Sequence, residues 1–182
     1  MSVQLTRSVR GACVVLALTF GAAGPAVAAE VIPSLHLTRE TGQDAVRLSG
    51  GLAVRGPVVR GVLDTELGIA YRQDLYEGGD VRVHSWPITA SLWFRPQRAL
   101  YVGGGLGWYN TTVEYPYSHY ADETTQRVGV HLGGGVRVPL SREVSMDLGG
   151  RYVFRQHGHG ALLPHDFEAD SWTTTLGVAV RF

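Results

Sequence analysis

From residue 30 onward, side-chain character alternates with a period of two, and almost nothing follows the 3.6-residue period of a helix. The last segment is the cleanest. Trp172, Thr174, Leu176, Val178, Val180 and Phe182 fall on one face, and Thr173, Thr175, Gly177, Ala179 and Arg181 on the other, because successive strand side chains point to opposite faces. In Val58–Gln73, Val59, Leu63, Leu67, Ile69 and Tyr71 oppose Arg60, Asp64, Glu66 and Arg72. In Val144–Arg155, Met146, Leu148, Tyr152 and Phe154 oppose Ser145, Asp147, Arg151 and Arg155. The segments Gln126–Val138, Leu100–Tyr109 and Ser85–Phe94 alternate likewise, and shorter ones near Ser34–Arg39 and Asp44–Val54 complete eight strands.

The links between these segments alternate in length. Short ones fall at Arg55–Pro57, Pro96–Arg98 and Pro139–Glu143; long ones span about Val113–Thr124 and Gln156–Asp170; two of modest length lie near Glu40–Gln43 and Glu77–Asp80. Short turns at one end and longer loops at the other predict an all-β, eight-stranded antiparallel up-and-down transmembrane β-barrel, with both termini on the short-turn side.

Alternation alone also fits a soluble barrel or sandwich, whose apolar face is buried instead. Three features favour the membrane form. Glycines concentrate within strands (Gly103–Gly105, Gly133–Gly135, Gly149 and Gly150), where they weaken a soluble sheet but let a small barrel curve tightly. Aromatic residues (Trp86, Trp108, Tyr109, Tyr152, Trp172, Phe182) gather near strand ends, as in interfacial girdles. The third feature concerns disulfides and depends on the N-terminus. Arg7 and Arg10 precede an apolar run, Ala12–Phe20, which leads to Ala26-Val27-Ala28-Ala29. This pattern predicts a secretory signal peptide over 1–28 and one barrel domain over 29–182. Its removal takes away Cys13, the only cysteine, so the exported chain lacks the disulfides common in small secreted domains.

Composition narrows the function classes. All 16 basic residues are Arg, and they balance 16 acids. No basic stripe for nucleic acid is evident, and no apolar run is long enough for a transmembrane helix. Loss of the leader removes two Arg and no acid, leaving the exported domain two acids in excess.

Several segments carry a family resemblance. Leu100-Tyr-Val-Gly-Gly-Gly-Leu-Gly-Trp-Tyr109, Val130-His-Leu-Gly-Gly-Gly-Val-Arg-Val-Pro-Leu140, Met146-Asp-Leu-Gly-Gly-Arg-Tyr152 and Leu176-Gly-Val-Ala-Val-Arg-Phe182 resemble the small outer-membrane barrels typified by OmpX, Ail and the OmpA membrane domain. The resemblance spans the whole exported chain. It implies the outer membrane of a Gram-negative bacterium, contact with outer-membrane lipids and lipopolysaccharide, and a role in envelope integrity, adhesion to a host or surface ligand through the outer loops, or resistance to external defences. It also implies a terminal signal for the barrel assembly machinery at Val178, Val180 and Phe182. A monomer without cofactors is expected.

An eight-stranded barrel is just wide enough inside for its own side chains. Parity sends Arg47, Arg60, Asp64, Glu66, Arg72, Arg127, Arg137, Asp147, Arg151 and Arg155 inward. Buried charges need partners, so an Arg–carboxylate network around Asp64, Glu66 and Asp147 is expected. It would act as a structural plug, with a narrow anion-favouring path as the alternative.

An enzymatic alternative is lipid A modification. The run Arg151–His159 invites comparison with lipid A deacylases of the PagL type, whose motif places a catalytic His two residues before a Ser-Asn pair. Here His157 is followed two residues later by His159, so the nucleophile of Ser–His acyl transfer is missing. A charged lumen likewise contradicts the acyl pocket of a PagP-type palmitoyltransferase. His157, His159, His165 and Asp166 could ligate Zn²⁺ or Cu²⁺, although a solvated polar loop has the same composition. The tyrosines of Glu114–Tyr120 suit an adhesive surface.

Overall fold

The computed structural model describes residues 29–42, 44–76, 81–115, 122–155 and 170–182. The expected leader, residues 1–28, lies outside them. The described chain is built from eight strands: β1 (Glu30–Glu40), β2 (Val46–Val59), β3 (Leu63–Tyr76), β4 (Val81–Phe94), β5 (Leu100–Glu114), β6 (Glu123–Pro139), β7 (Val144–Arg155) and β8 (Ser171–Arg181). Each pairs antiparallel with the next, and β8 returns to β1 to close the barrel. Closure removes every free sheet edge, the condition for strands to cross a bilayer.

The period-two pattern sets which face of each strand is inside. Large apolar residues point outward: Leu35, Leu37, Leu48, Leu52, Ile69, Leu92, Val102, Leu106, Val130, Leu132, Leu148 and Leu176 are all exposed. Inward positions hold small, polar or charged residues, with a minority of apolar ones such as Ile32, Val83, Trp93, Val113 and Val153. This inverts a water-soluble barrel and matches a hydrocarbon surround.

One short link is displaced from its expected place. Arg55-Gly56-Pro57 is strand, not turn; β2 continues to Val59 and the turn is Arg60–Val62. Pro57 is tolerated because pairing of β2 with β1 ends at Arg55, opposite Glu30, and the register against β3 shifts between Pro57 and Val59. A proline costs nothing where no ladder bond is due. Gly61 turns the chain at φ 76°, a left-handed conformation that a side chain disfavours. The Val62 amide closes the turn on the Val59 carbonyl at 3.0 Å.

Glycines shape the β5–β6–β7 wall. Gly103 lies opposite Gly133, and Gly135 opposite Gly149. A Cβ on Gly103 or Gly105 would run into the β4 backbone. At Gly149 it would stand 2.6 Å from the Tyr101 hydroxyl. The bare backbone therefore admits both tight strand approach and an inward tyrosine.

Candidate functional site: the charged lumen

The inward faces stack ionisable groups in three tiers along the barrel axis. At the short-turn end, Glu30 begins β1 and receives Arg137 at 2.7 Å and Arg181 at 2.8 Å. Asp64 on β3 receives Arg95 at 3.2 Å. Glu30, Asp64, Arg95 and Arg181 border a polar mouth of about 350 Å³, which Arg55 and Arg60 also line.

The middle tier centres on Arg55. Its Nε donates to Glu66 at 2.8 Å and its Nη1 to Asp147, also at 2.8 Å. One guanidinium thus bridges β3 and β7 across the lumen, a use suited to its planar fork. Tyr101 stacks beneath it, with its ring centre 4.9 Å away, and donates its hydroxyl to Asp147 at 2.6 Å. Arg137 approaches Asp147 at 3.5 Å and Arg151 approaches Glu66 at 3.5 Å. Glu66 and Asp147 are both buried.

The outer tier centres on Glu40, which is 1% exposed. Its Oε1 faces Arg72 at 3.3 Å, Arg47 at 3.7 Å and Arg155 at 3.8 Å. Asp74 pairs with Arg72 at 2.9 Å and with Arg47 at 3.3 Å. Arg155 also donates to the Ser171 hydroxyl at 3.2 Å and lies over the Tyr109 ring at 5.0 Å. Arg127 faces inward on β6, opposite Tyr109.

Between the two upper tiers lies a cavity of about 110 Å³, edged by hydroxyls. Here the Ser34 and Thr175 hydroxyls bracket the His36 ring at 3.0 and 2.9 Å, and Thr38 meets Thr173 at 3.0 Å. The His36–Thr175 and Thr38–Thr173 bonds join β1 to β8 and so reinforce the closing seam.

Of the ten residues that sequence parity assigned to the lumen, nine lie on inward faces of strands. Arg60 does not: β2 ends before it, and it sits exposed in the β2–β3 turn. Arg55 takes the interior place instead. It was missed because Gly56-Pro57 has the composition of a turn, although Arg55 shares parity with Arg47. Glu30, Glu40 and Asp74 were also missed; each lies at or beyond the expected end of a strand. The metal candidates His157, His159, His165 and Asp166 lie outside the described residues, and no metal-binding cluster occurs among those described. Val178, Val180 and Phe182 lie at the end of β8, with Val178 and Phe182 exposed on the barrel's outside.

The fold also brings together a second Ser–His pair, one whose members lie 40 residues apart in the sequence. Ser91 and His131 share a hydrogen bond of 2.9 Å. Both are buried, and His131 Nδ1 has no hydrogen-bond partner among the described residues. The orienting acid of a catalytic triad is thus missing, and the pair faces the lumen rather than lipid.

Outside the barrel, near the outer end of β3–β5, the Tyr71 hydroxyl meets His84 at 2.9 Å and His84 meets Glu114 at 3.2 Å. Tyr71 lies against Trp86, with ring centres 4.4 Å apart. Aromatic residues capped by polar groups suit the zone where hydrocarbon gives way to headgroups.

A closed eight-stranded antiparallel wall, apolar outside and ion-paired inside, is the architecture of a transmembrane-type β-barrel. No protein-family model and no curated relative matches the sequence. Solved structures do match in fold. Neisserial surface protein A aligns with a TM-score of 0.59 at 18% identity, over 85% of this chain and 96% of that one. Ail, the attachment invasion locus protein of Yersinia pestis, solved in complex with the heparin analogue sucrose octasulfate, gives 0.54 at 14%, over 85% and 97%. The N-terminal barrel domain of Pseudomonas aeruginosa OprF gives 0.55 at 15%, over 84% and 97%. The architecture is thus shared while sequence identity stays low, as expected where only side-chain parity is constrained.

Proposed function

We propose that this chain is a non-enzymatic integral barrel of a Gram-negative outer membrane, exported by residues 1–28, which presents its longer links to the outside. The observation that carries this reading is the pairing of an apolar exterior with a lumen crossed by tiered ion pairs. The exterior dissolves in lipid; the interior acts as a rigid plug, because separating any pair strands a buried charge. Val178, Val180 and Phe182 form the assembly signal, and outer-membrane lipids and lipopolysaccharide surround the wall.

The links also suggest a ligand chemistry. Residues 41–45, 77–80, 115–122 and 156–170 contain Asp44, Glu77, Asp80, Asp122, Asp166, Glu168 and Asp170 and no arginine. A sulfated sugar such as the one bound by Ail would meet like charge here. A cationic or neutral aromatic-binding surface on a host or neighbouring cell is the better match.

Cell fractionation together with gel migration before and after boiling tests the barrel. The protein should appear in outer-membrane fractions and migrate faster unboiled. Recovery as a soluble periplasmic protein would refute the reading. Planar-bilayer recording separates plug from pore, since a stable anion-selective conductance would favour the narrow-path alternative.

A further inference from the structure

We propose that the short-turn rim of the barrel is a docking surface for the headgroups of anionic phospholipids. The inference rests on the membrane-barrel reading and assigns a lipid class to one end of it.

The three short links carry Arg60, Arg95, Arg98 and Arg142 against a single acid, Glu143. The four links at the opposite end reverse this, with seven acids, no arginine and, as their only basic side chains, four histidines. The charge polarity therefore runs along the barrel axis, although the chain as a whole carries no net charge.

These arginines differ from those inside. Arg60, Arg98 and Arg142 are exposed, and no side-chain partner holds their guanidinium groups among the described residues. Arg95 turns back to Asp64 and to the Arg98 carbonyl, which leaves the other three facing outward into solvent or headgroups.

Their apolar neighbours fix the level at which they act. Val59 and Val62 flank Arg60, Phe94 precedes Arg95, and Leu140 stands two residues before Arg142; all four apolar residues are exposed. Leu100 and Phe182 extend the same edge. The lipid-facing belt therefore ends where the arginines begin. Acyl chains that cover the belt place their phosphates beside those guanidiniums, whose fork matches two phosphate oxygens. A zwitterionic headgroup brings its own ammonium to the same place and cancels most of the attraction, whereas phosphatidylglycerol does not. Basic residues at an anionic surface act over about one Debye length, so the contact is salt-sensitive.

The test titrates the folded full-length barrel, in neutral detergent, with phosphatidylglycerol or phosphatidylcholine and reads retained lipid by native mass spectrometry. The wild type should retain phosphatidylglycerol over phosphatidylcholine by about tenfold. The variant R60Q/R98Q/R142Q should lower that preference to less than about twofold, and E143Q should raise it. Equal retention of the two lipids by the wild type, or an unchanged preference in the triple variant, overturns the proposal. Gel migration of the unboiled samples reports folding separately, so loss of the barrel and loss of lipid selectivity give different results.

Discussion

Arg55 shows how much of the interior depends on single side chains. It is 5% exposed and bridges Glu66 and Asp147. Its value lies less in net attraction than in what its removal leaves behind, since a buried carboxylate without its partner is strongly destabilising. Arg55→Ala should lower the unfolding free energy of the refolded barrel by about 3–5 kcal/mol, read from urea unfolding in vesicles. Adding Glu66→Gln and Asp147→Asn should recover part of the loss. A single variant as stable as the wild type would mean that the interior carboxylates find other partners or water. The same residue marks a limit of sequence reading. Parity sent ten arginines and carboxylates inside and was right for nine, but it lost Arg55, because the Gly-Pro pair after it mimics a turn. Only the register against Glu30 and Glu66 shows that the strand runs on.

At the scale of elements, the strands were legible because their two faces meet different media, so each keeps its own composition over ten or more residues. Strand ends were not, because polar outer positions look the same in a strand and in a link. β1 and β5 accordingly begin or end several residues beyond their expected bounds, and Glu30 and Glu40 are interior groups at those ends. The glycine-rich wall adds a coupling that no single strand reveals. Tyr101 of β5 reaches across to Gly149 of β7, where an added Cβ would lie 2.6 Å from its hydroxyl. Gly149→Ala should cost about 1–3 kcal/mol in the wild type, as overpacking does. In a Tyr101→Phe background the added cost should shrink by about 1 kcal/mol, the coupling of a contacting pair in a double-mutant cycle. Strictly additive costs would place the strain elsewhere.

Across the whole molecule, two segregations coexist. Radially, lipid-like residues coat the outside and ion pairs occupy the inside. Axially, arginines gather in the short turns and acids in the longer links. Both are hidden in a composition with no net charge and near-neutral mean hydropathy. The radial pattern yields the fold; the axial one carries the proposed contact with anionic headgroups at the short-turn rim. Recognition by the longer links draws on residues that alternation does not constrain, which is why the sequence names a fold class far more readily than a ligand.

The central claim, that the apolar face meets hydrocarbon, is tested most directly by spin labels along β8. The sequence has one native cysteine, Cys13, so single-cysteine variants from Thr174 to Val180 can be made in a Cys13→Ser background. The barrel is then reconstituted in vesicles and probed with oxygen and with a water-soluble nickel chelate. Labels at 174, 176, 178 and 180 should be relaxed strongly by oxygen and weakly by nickel, whereas those at 175, 177 and 179 should be shielded from oxygen. Strong nickel access at 176 and 178, with no alternation along the strand, would contradict a membrane-spanning barrel.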